Sequence, residues 1–196
     1  MMLIKPVTLE GPRVRLEPLM LDHVDALAAF GLNPGLWQYR ADVVGSRDEM
    51  RSYVQTILDR QAVGTEVGFA TIECSAGRVA GSTRFMDIDV KNRSLEIGGT
   101  FIDPQWQRTF VNTEAKYMML RHAFETWGCV RVYLKTDSLN DRSRQAILRL
   151  GAKEEGTLRN HMIMPGGRLR HSVYFSIIDS EWPAVKARLE AKLGGK

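Results

Sequence analysis

The residues best placed to do chemistry in this chain fall between Glu96 and Ser143. Glu96 lies in the run LEIGGTF, which reads as a strand. Two-residue alternation puts Glu96, Gly98 and Thr100 on one face and Leu95, Ile97 and Phe101 on the other. A carboxylate beside small residues can sit in a pocket and move a proton. A solvent-facing glutamate paired with Arg84 or Arg131 on a neighbouring strand explains it equally well. Next come Gln107, Arg108, Thr109, Phe110, Val111, Asn112 and Thr113, which lead into a helix. A helix start carries unpaired N–H groups and the positive end of the dipole, so it suits an anion such as a diphosphate. Arg108 adds a charged, forked donor, and Asn112 or Thr113 can cap the helix. Asn140 and Ser143, three residues apart, open a second helix. Asparagine is a favoured cap, so Asn140 has a structural reading as well. Two neighbouring strand ends that each feed a helix make a cleft able to hold a long phosphorylated cofactor.

The elements around these residues can be read from pattern and punctuation. Val14–Pro18 alternates and reads as a strand. Residues 21–30 are apolar at helical spacing and end at Gly31. Ser46 and Glu49 form a capping-box pattern ahead of Met50, Tyr53, Val54, Ile57 and Leu58, so a helix runs on towards Gly64. Val67–Glu73 and residues 78–90 form a strand pair, turned at Ser75, Ala76 and Gly77. Residues 92–102 add a third antiparallel strand. A helix over 113–127 stops at Gly128. A strand over 130–137 leads to a helix over Asp141–Leu150, closed by Gly151. Strands over 153–162 and Leu169–Ile178 are joined at Pro165, Gly166 and Gly167. The last helix spans 180–193, with Pro183 in its first turn. The order predicts an α/β fold: a single mixed, mostly antiparallel sheet flanked by helices. One domain is expected over 8–193, with 1–7 as a leader and 179–193 as the C-terminal helix segment.

Bulk properties exclude several classes. The chain has 196 residues, 44% hydrophobic and 26% charged, and a formal net charge of +4. That length favours one domain with a sizeable core. The pI of about 9.2 is not accompanied by a basic run or a basic-aromatic surface, so nucleic acid is not expected as a partner. Cys74 and Cys129 are too few for a disulfide framework and are expected reduced and buried. The four histidines are scattered, so no metal is expected. No segment approaches a membrane span, and the apolar start is too short for a signal peptide. The expected location is the cytoplasm.

Taken in order, LEIGGTFIDPQWQ (95–107), VNTEAK (111–116), LRHAFE (120–125), RVYLKTDSLNDRS (131–143), RLGAKEEGTLR (149–159) and VYFSI (173–177) carry a resemblance. The chain resembles GNAT-type acyl-CoA N-acyltransferases, on the side of the ribosomal-protein N-terminal (Rim-type) acetyltransferases. The resemblance runs from about Val14 to the C-terminal helix and implies acetyl-CoA as cosubstrate. In the family the loop before the first crossover helix reads Gln/Arg-x-x-Gly-x-Gly/Ala. Gln107 matches its first position, while Phe110 and Asn112 stand where the glycines would be. Cofactor contacts are implied for Phe101, Ile102, Asp103, Gln107, Arg108, Thr109, Phe110, Val111, Asn112, Thr113, Asn140 and Ser143. Glu96 aligns with a strand glutamate that is the general base in some members. Asn140 aligns with a residue on the pantetheine arm or an ordered water, and Ser143 with one that can hydrogen-bond the thiol. Leu148 occupies the place of a tyrosine acid, and Met162 that of an acidic base in some Rim-type relatives.

The implied reaction is direct attack of a primary amine on the thioester, with Glu96 as base and Ser143 as thiol donor. Backbone N–H groups near 101–103 would receive the oxyanion. Trp37, Tyr39, Arg40 and His161 are candidates for the acceptor wall, although core packing explains the two aromatics equally well. The acceptor is a protein or peptide N-terminus or a small amine, and a homodimer is compatible with the chain. The losses at 110, 112 and 148 keep a non-catalytic acyl-CoA-binding protein as the rival reading.

Overall fold

A computed structural model describes residues 2–194. Eight strands form one sheet in the order β1-β2-β3-β4-β5-β6-β8-β7. They are β1 (Leu9–Glu10), β2 (Val14–Pro18), β3 (Val67–Glu73), β4 (Arg78–Asp89), β5 (Ser94–Ile102), β6 (Arg131–Asp137), β7 (Lys153–Ile163) and β8 (Leu169–Ile178). Every neighbouring pair is antiparallel except β5 with β6. A parallel pair needs a crossover, and here it is α3 (Phe110–Arg121), prolonged by a wider turn over His122–Thr126. Helices α1 (Val24–Gly31) and α2 (Arg47–Ala62) cover one face of the sheet. Helices α3, α4 (Asp141–Leu150) and α5 (Trp182–Gly194) bury their apolar faces in the other core. The expected mixed α/β architecture is therefore what is found.

Local chemistry explains the ends. Ser46 caps α2 by accepting from the Glu49 N–H at 3.2 Å, but Glu49 returns to the Gly45 N–H instead of the cap residue. Gly151 ends α4 in the left-handed conformation, φ 106°. Helix α3 begins three residues before the expected 113, because Thr109 is the cap: its hydroxyl accepts from the Val111 N–H at 3.3 Å. Asn112 and Thr113 therefore lie inside the first turn and do not cap it. Buried Glu114 then pins α3 to β2, accepting from the Arg13 and Val14 N–H groups and from the Arg13 guanidinium.

Three expectations need correction. Of the expected leader, Met1 lies outside the described residues. Met2 is buried and Ile4 and Val7 pack against the main core, because their apolar side chains find cover there. Cys74 is exposed; only Cys129 is buried, and both are free. The alternation along β5 also breaks. Arg84 pairs with Gly98 and Ser82 with Phe101, so Gly99 and Thr100 together face Thr83 in a bulge. Gly99 supplies the required φ of 59°. Leu95 and Ile97 face the α3 core, whereas Phe101 joins the α1–α2 core and Ile102 returns to the α3 side.

The bulge sits over a buried lysine. Lys116 of α3 is 4% exposed. Its ammonium donates to the hydroxyls of Thr83 at 2.7 Å and Thr100 at 2.6 Å. It has no carboxylate partner among the described residues, and burial pulls its pKa down to about 7. The unfolded chain takes up a proton here below about 10.4, which the folded chain refuses down to about 7. Stability therefore rises with pH across that window. Lys116→Met is expected to flatten this slope and to raise the melting temperature at pH 7 by several degrees. Parallel melts at pH 7 and 9 check this; an unchanged slope in the variant would show that Lys116 stays charged in the fold.

Candidate active site

The site begins where β5 and β6 part. Their parallel ladder is limited to Ser94, Leu95 and Glu96 against Arg131, Val132 and Tyr133. Beyond it β5 stays on β4 and β6 stays on β8, leaving a wedge-shaped gap. The Asp103 N–H is taken by the Ala80 carbonyl at 2.9 Å, so it is not free to bind an oxyanion as expected. Antiparallel alternation then directs the Ile102 backbone to the gap side, where its carbonyl accepts from the Gln107 amide at 2.9 Å.

On the α1–α2 side of the gap stands Glu96, 3% exposed. It is neither solvent-facing nor paired with Arg84 or Arg131; those arginines serve Glu66 and Glu155. Its partner is Lys135 of β6, 2.6 Å away across the parting strands. Lys135 and the Tyr133 hydroxyl also reach Asp87, at 3.4 Å and 3.1 Å. Burial pushes the Glu96 pKa up to about 7, with Asp87 adding to the rise and Lys135 opposing it. A carboxyl at that value can both take and return a proton near neutral pH. Gly98 makes the room: a Cβ there would come within 2.7 Å of Glu96 Oε1. The aromatic floor beside it is Tyr133 stacked on Tyr174, centroids 6.0 Å apart. His161 meets the edge of the Tyr174 ring, and its Nδ1 lies 2.9 Å from the Ser172 hydroxyl. Burial, with Lys135 and Arg170 nearby, lowers the His161 pKa and keeps the ring neutral.

On the other side of the gap two helix starts come together. Gln107 accepts from Arg142, in the first turn of α4, at 2.9 Å, tying the loop before α3 to α4. Arg108 is exposed and held at φ 64°. The N–H groups of Arg108, Thr109 and Phe110 donate to nothing among the described residues. Phe110, standing where a glycine is usual, turns its ring aside under Arg13 at 4.3 Å and against Trp106. The loop backbone is thus still available to an anion. Val111 is buried in the core. Asn140 caps α4, accepting from the Ser143 N–H at 3.0 Å, while the Ser143 hydroxyl has no partner among the described residues.

The acceptor candidates separate. Trp37 is 2% exposed and bonded to the Gly31 carbonyl, so it belongs to the core and lines no wall. Arg40 lies over Trp37 and donates to the Thr100 carbonyl and the Tyr53 hydroxyl, bracing the bulge. Tyr39 is half-buried, and its carbonyl is held by Arg170. Sequence reading missed Lys135, Asp87, Tyr133 and Arg142. The parallel register that puts Tyr133 beside Glu96 also puts Lys135 on the same face, but register is not visible in one chain. Arg142 did carry a signal: a cation in a helix's first turn works against the dipole and invites a second role.

The geometry can be set beside known proteins. Residues 13–153 match the acetyltransferase (GNAT) domain family. A Bacillus subtilis (strain 168) protein, YdaF, provisionally named a ribosomal N-acetyltransferase, is 28% identical over 156 residues, 78% of this chain and 81% of its own. The crystal structure of a GCN5-related N-acetyltransferase from Brucella melitensis superposes with a TM-score of 0.90 at 31% identity, over 97% of this chain and 87% of that one. Mycobacterium smegmatis RimJ, solved in complex with CoA-disulfide, shares the fold at a TM-score of 0.82 and 20% identity, over 95% of each chain. With a family match across most of its sheet and both crossover helices, the chain belongs to the GNAT acetyltransferases.

Proposed function

We propose that this acetyltransferase moves an acetyl group from acetyl-CoA to the primary amine of a protein or peptide N-terminus. The observation that carries the reading is the gap between β5 and β6, with Glu96 on one side and two joined helix starts on the other. The relatives' names support it: one is provisionally a ribosomal N-acetyltransferase and another is a RimJ bound to a CoA derivative. The donor's diphosphate fits the free N–H groups of Arg108, Thr109 and Phe110, with the Arg108 charge beside them. Asn140 and Ser143 then lie beside its thiol arm.

An N-terminal amine, with a pKa near 8, costs only about 1–1.4 kcal/mol to present neutral at pH 7, whereas a lysine at about 10.4 costs about 4.6 kcal/mol. One carboxylate such as Glu96, acting directly or through a water, suffices for the easier case. The neutral nitrogen attacks the thioester carbonyl, the N–C bond forms, and the ammonium proton passes to Glu96. The C–S bond then breaks, and the Ser143 hydroxyl protonates the leaving thiolate, drawing a replacement proton from solvent. Leu148, at the place of the family's tyrosine, cannot donate, so the step falls to Ser143 as the nearest hydroxyl in the motif.

Three measurements test the reading. Acetyl-CoA is expected to stabilise the fold by about 2.7 kcal/mol at a hundredfold excess over its Kd, and Arg108→Ala to reduce the melting shift; no shift at millimolar acetyl-CoA removes the donor. Glu96→Gln should lower turnover about a hundredfold without changing the acetyl-CoA shift. Because Glu96 must be ionised to act, kcat/KM of the native enzyme falls with two overlapping acid limbs, one from Glu96 near 7 and one from the acceptor amine near 8. The variant keeps only the second, and a double limb surviving in it would assign the base elsewhere. Ser143→Ala is expected to cut turnover about ten- to a hundredfold with acetyl-CoA affinity intact; lost stability at full turnover would mark Ser143 as a helix-start residue only.

A further inference from the structure

Resting on the acyl-transfer reading, we infer that Arg170 recognises a carboxylate that the acceptor carries within one residue of its amine. Arg170 stands out among the cations of the acceptor face. Lys135 is matched by Glu96 and Asp87, Arg168 by Asp137, Arg84 by Glu66 and Arg40 by Asp42. Arg170 is only 8% exposed, yet forms no ion pair with a carboxylate among the described residues. A buried charge is expensive unless paired, so a site that keeps one bare has an anion still to come.

The guanidinium is oriented for that anion. Its Nε donates to the Ser172 hydroxyl at 2.9 Å, and its Nη1 to the Tyr39 carbonyl at 3.1 Å. Nη2 donates to nothing among the described residues. Nε is thus fixed to β8 and Nη1 to the loop between α1 and α2, and Nη2, common to both edges of the planar group, is left to a ligand. A guanidinium held this way offers a carboxylate a donor of fixed direction, which a lysine would not. Strand alternation sets the direction. Val173, Phe175 and Ile177 face the α3 core, so Arg170, Ser172 and Tyr174 face the side on which Glu96 lies. Ser172 links Arg170 to His161, which meets the Tyr174 ring, completing a polar path back towards Lys135 and Glu96. Asp137 and Glu96 are near enough for their charges to reach Arg170, although burial still leaves its pKa below the ordinary arginine value. An acceptor with its amine at Glu96 and a carboxylate at Arg170 would neutralise the bare cation. An acidic second side chain in a peptide and the α-carboxylate of a free amino acid share that chemistry.

The test uses two matched acceptor pairs with acetyl-CoA: peptide amides beginning Ser-Glu against Ser-Gln, and free serine against serinamide. The native enzyme should favour the acidic member of one pair by about tenfold or more in kcat/KM, expressed in KM, as for a charge-assisted hydrogen bond. The pair that shows the preference identifies the source of the carboxylate. Arg170→Gln should bring the ratio close to one, and Arg170→Lys should keep only part of it. A native ratio near one in both pairs overturns the inference, as does a preference retained in Arg170→Gln. If that variant gives no cooperative melt, Arg170→Lys decides, and an undiminished preference there overturns it. Turnover without acid preference sinks this inference alone, whereas no turnover of any of the four amines sinks the acyl-transfer reading beneath it.

Discussion

Glu96 and Lys135 reach across the place where two parallel strands separate, and that reach ties the halves of the sheet together beyond their last shared ladder bond. The strands on either side have other obligations. β5 remains hydrogen-bonded to β4, and β6 to β8, each through its own antiparallel ladder. A gap between them therefore costs no lost pairing elsewhere. Its edges are backbone groups in need of partners, which is what an extended ligand arm can supply. The ion pair does not have to be a net source of stability, because desolvating two charges consumes most of their attraction. Burial raises the proton affinity of the Glu96 carboxyl and Lys135 holds the rise back, so that it stands near neutrality.

The bulge at Gly99 and Thr100 determines what lies on each side of that gap. One extra residue exchanges the faces of the strand, so Phe101 packs among Trp37 and Tyr53 while Thr100 turns to Lys116. Arg40 holds the Thr100 carbonyl from the loop between α1 and α2, and Arg84 lies against Gly99. The strand segment leading into the loop before α3 is thus gripped from both layers. With a regular strand, Phe101 would point into the α3 core, and the aromatic cluster of Trp37 and Tyr53 would lose its central ring.

Much of the architecture was legible because its signals are local. Ser46 and Asn140 cap through side-chain oxygens that accept from N–H groups three residues on, and Gly77 and Gly151 turn the chain through their own backbone angles. The site was legible only in part. Glu96 stands out as an acid among small residues, but the sequence leaves a pocketed acid and a surface pair with Arg84 or Arg131 equally open, and its actual partner Lys135 follows from pairing register, a tertiary property. The bulge was missed since a two-glycine run is equally compatible with a straight strand. For Trp37 the sequence leaves the acceptor wall and the core equally open, and the structure decides for the core: its indole N–H finds the Gly31 carbonyl and its ring packs on Phe101. The early start of α3 escaped because Thr109 is a weaker and less conspicuous cap than the Asn112 that follows.

The loop before α3 keeps the N–H groups of Arg108, Thr109 and Phe110 open although Phe110 and Asn112 stand where the family has glycines. Glycines serve such loops by letting the main chain come close and by adopting left-handed angles. Here Arg108 itself takes the left-handed angle, at a cost of about 1–2 kcal/mol for a residue with a Cβ. Phe110 meets the first demand differently, moving its bulk onto Arg13 and Trp106 and leaving the N–H side of the turn clear. Arg13 is itself held by Glu114, one turn further along α3, so the ring's resting place is built into the clamp between helix and sheet. Strain of this kind persists only where the surroundings fix it. The Gln107 bridge to Arg142 and to the Ile102 carbonyl provides that fixation just before the strained residue. The loop thus keeps an open N–H face at Arg108, Thr109 and Phe110 without glycine at 110 or 112.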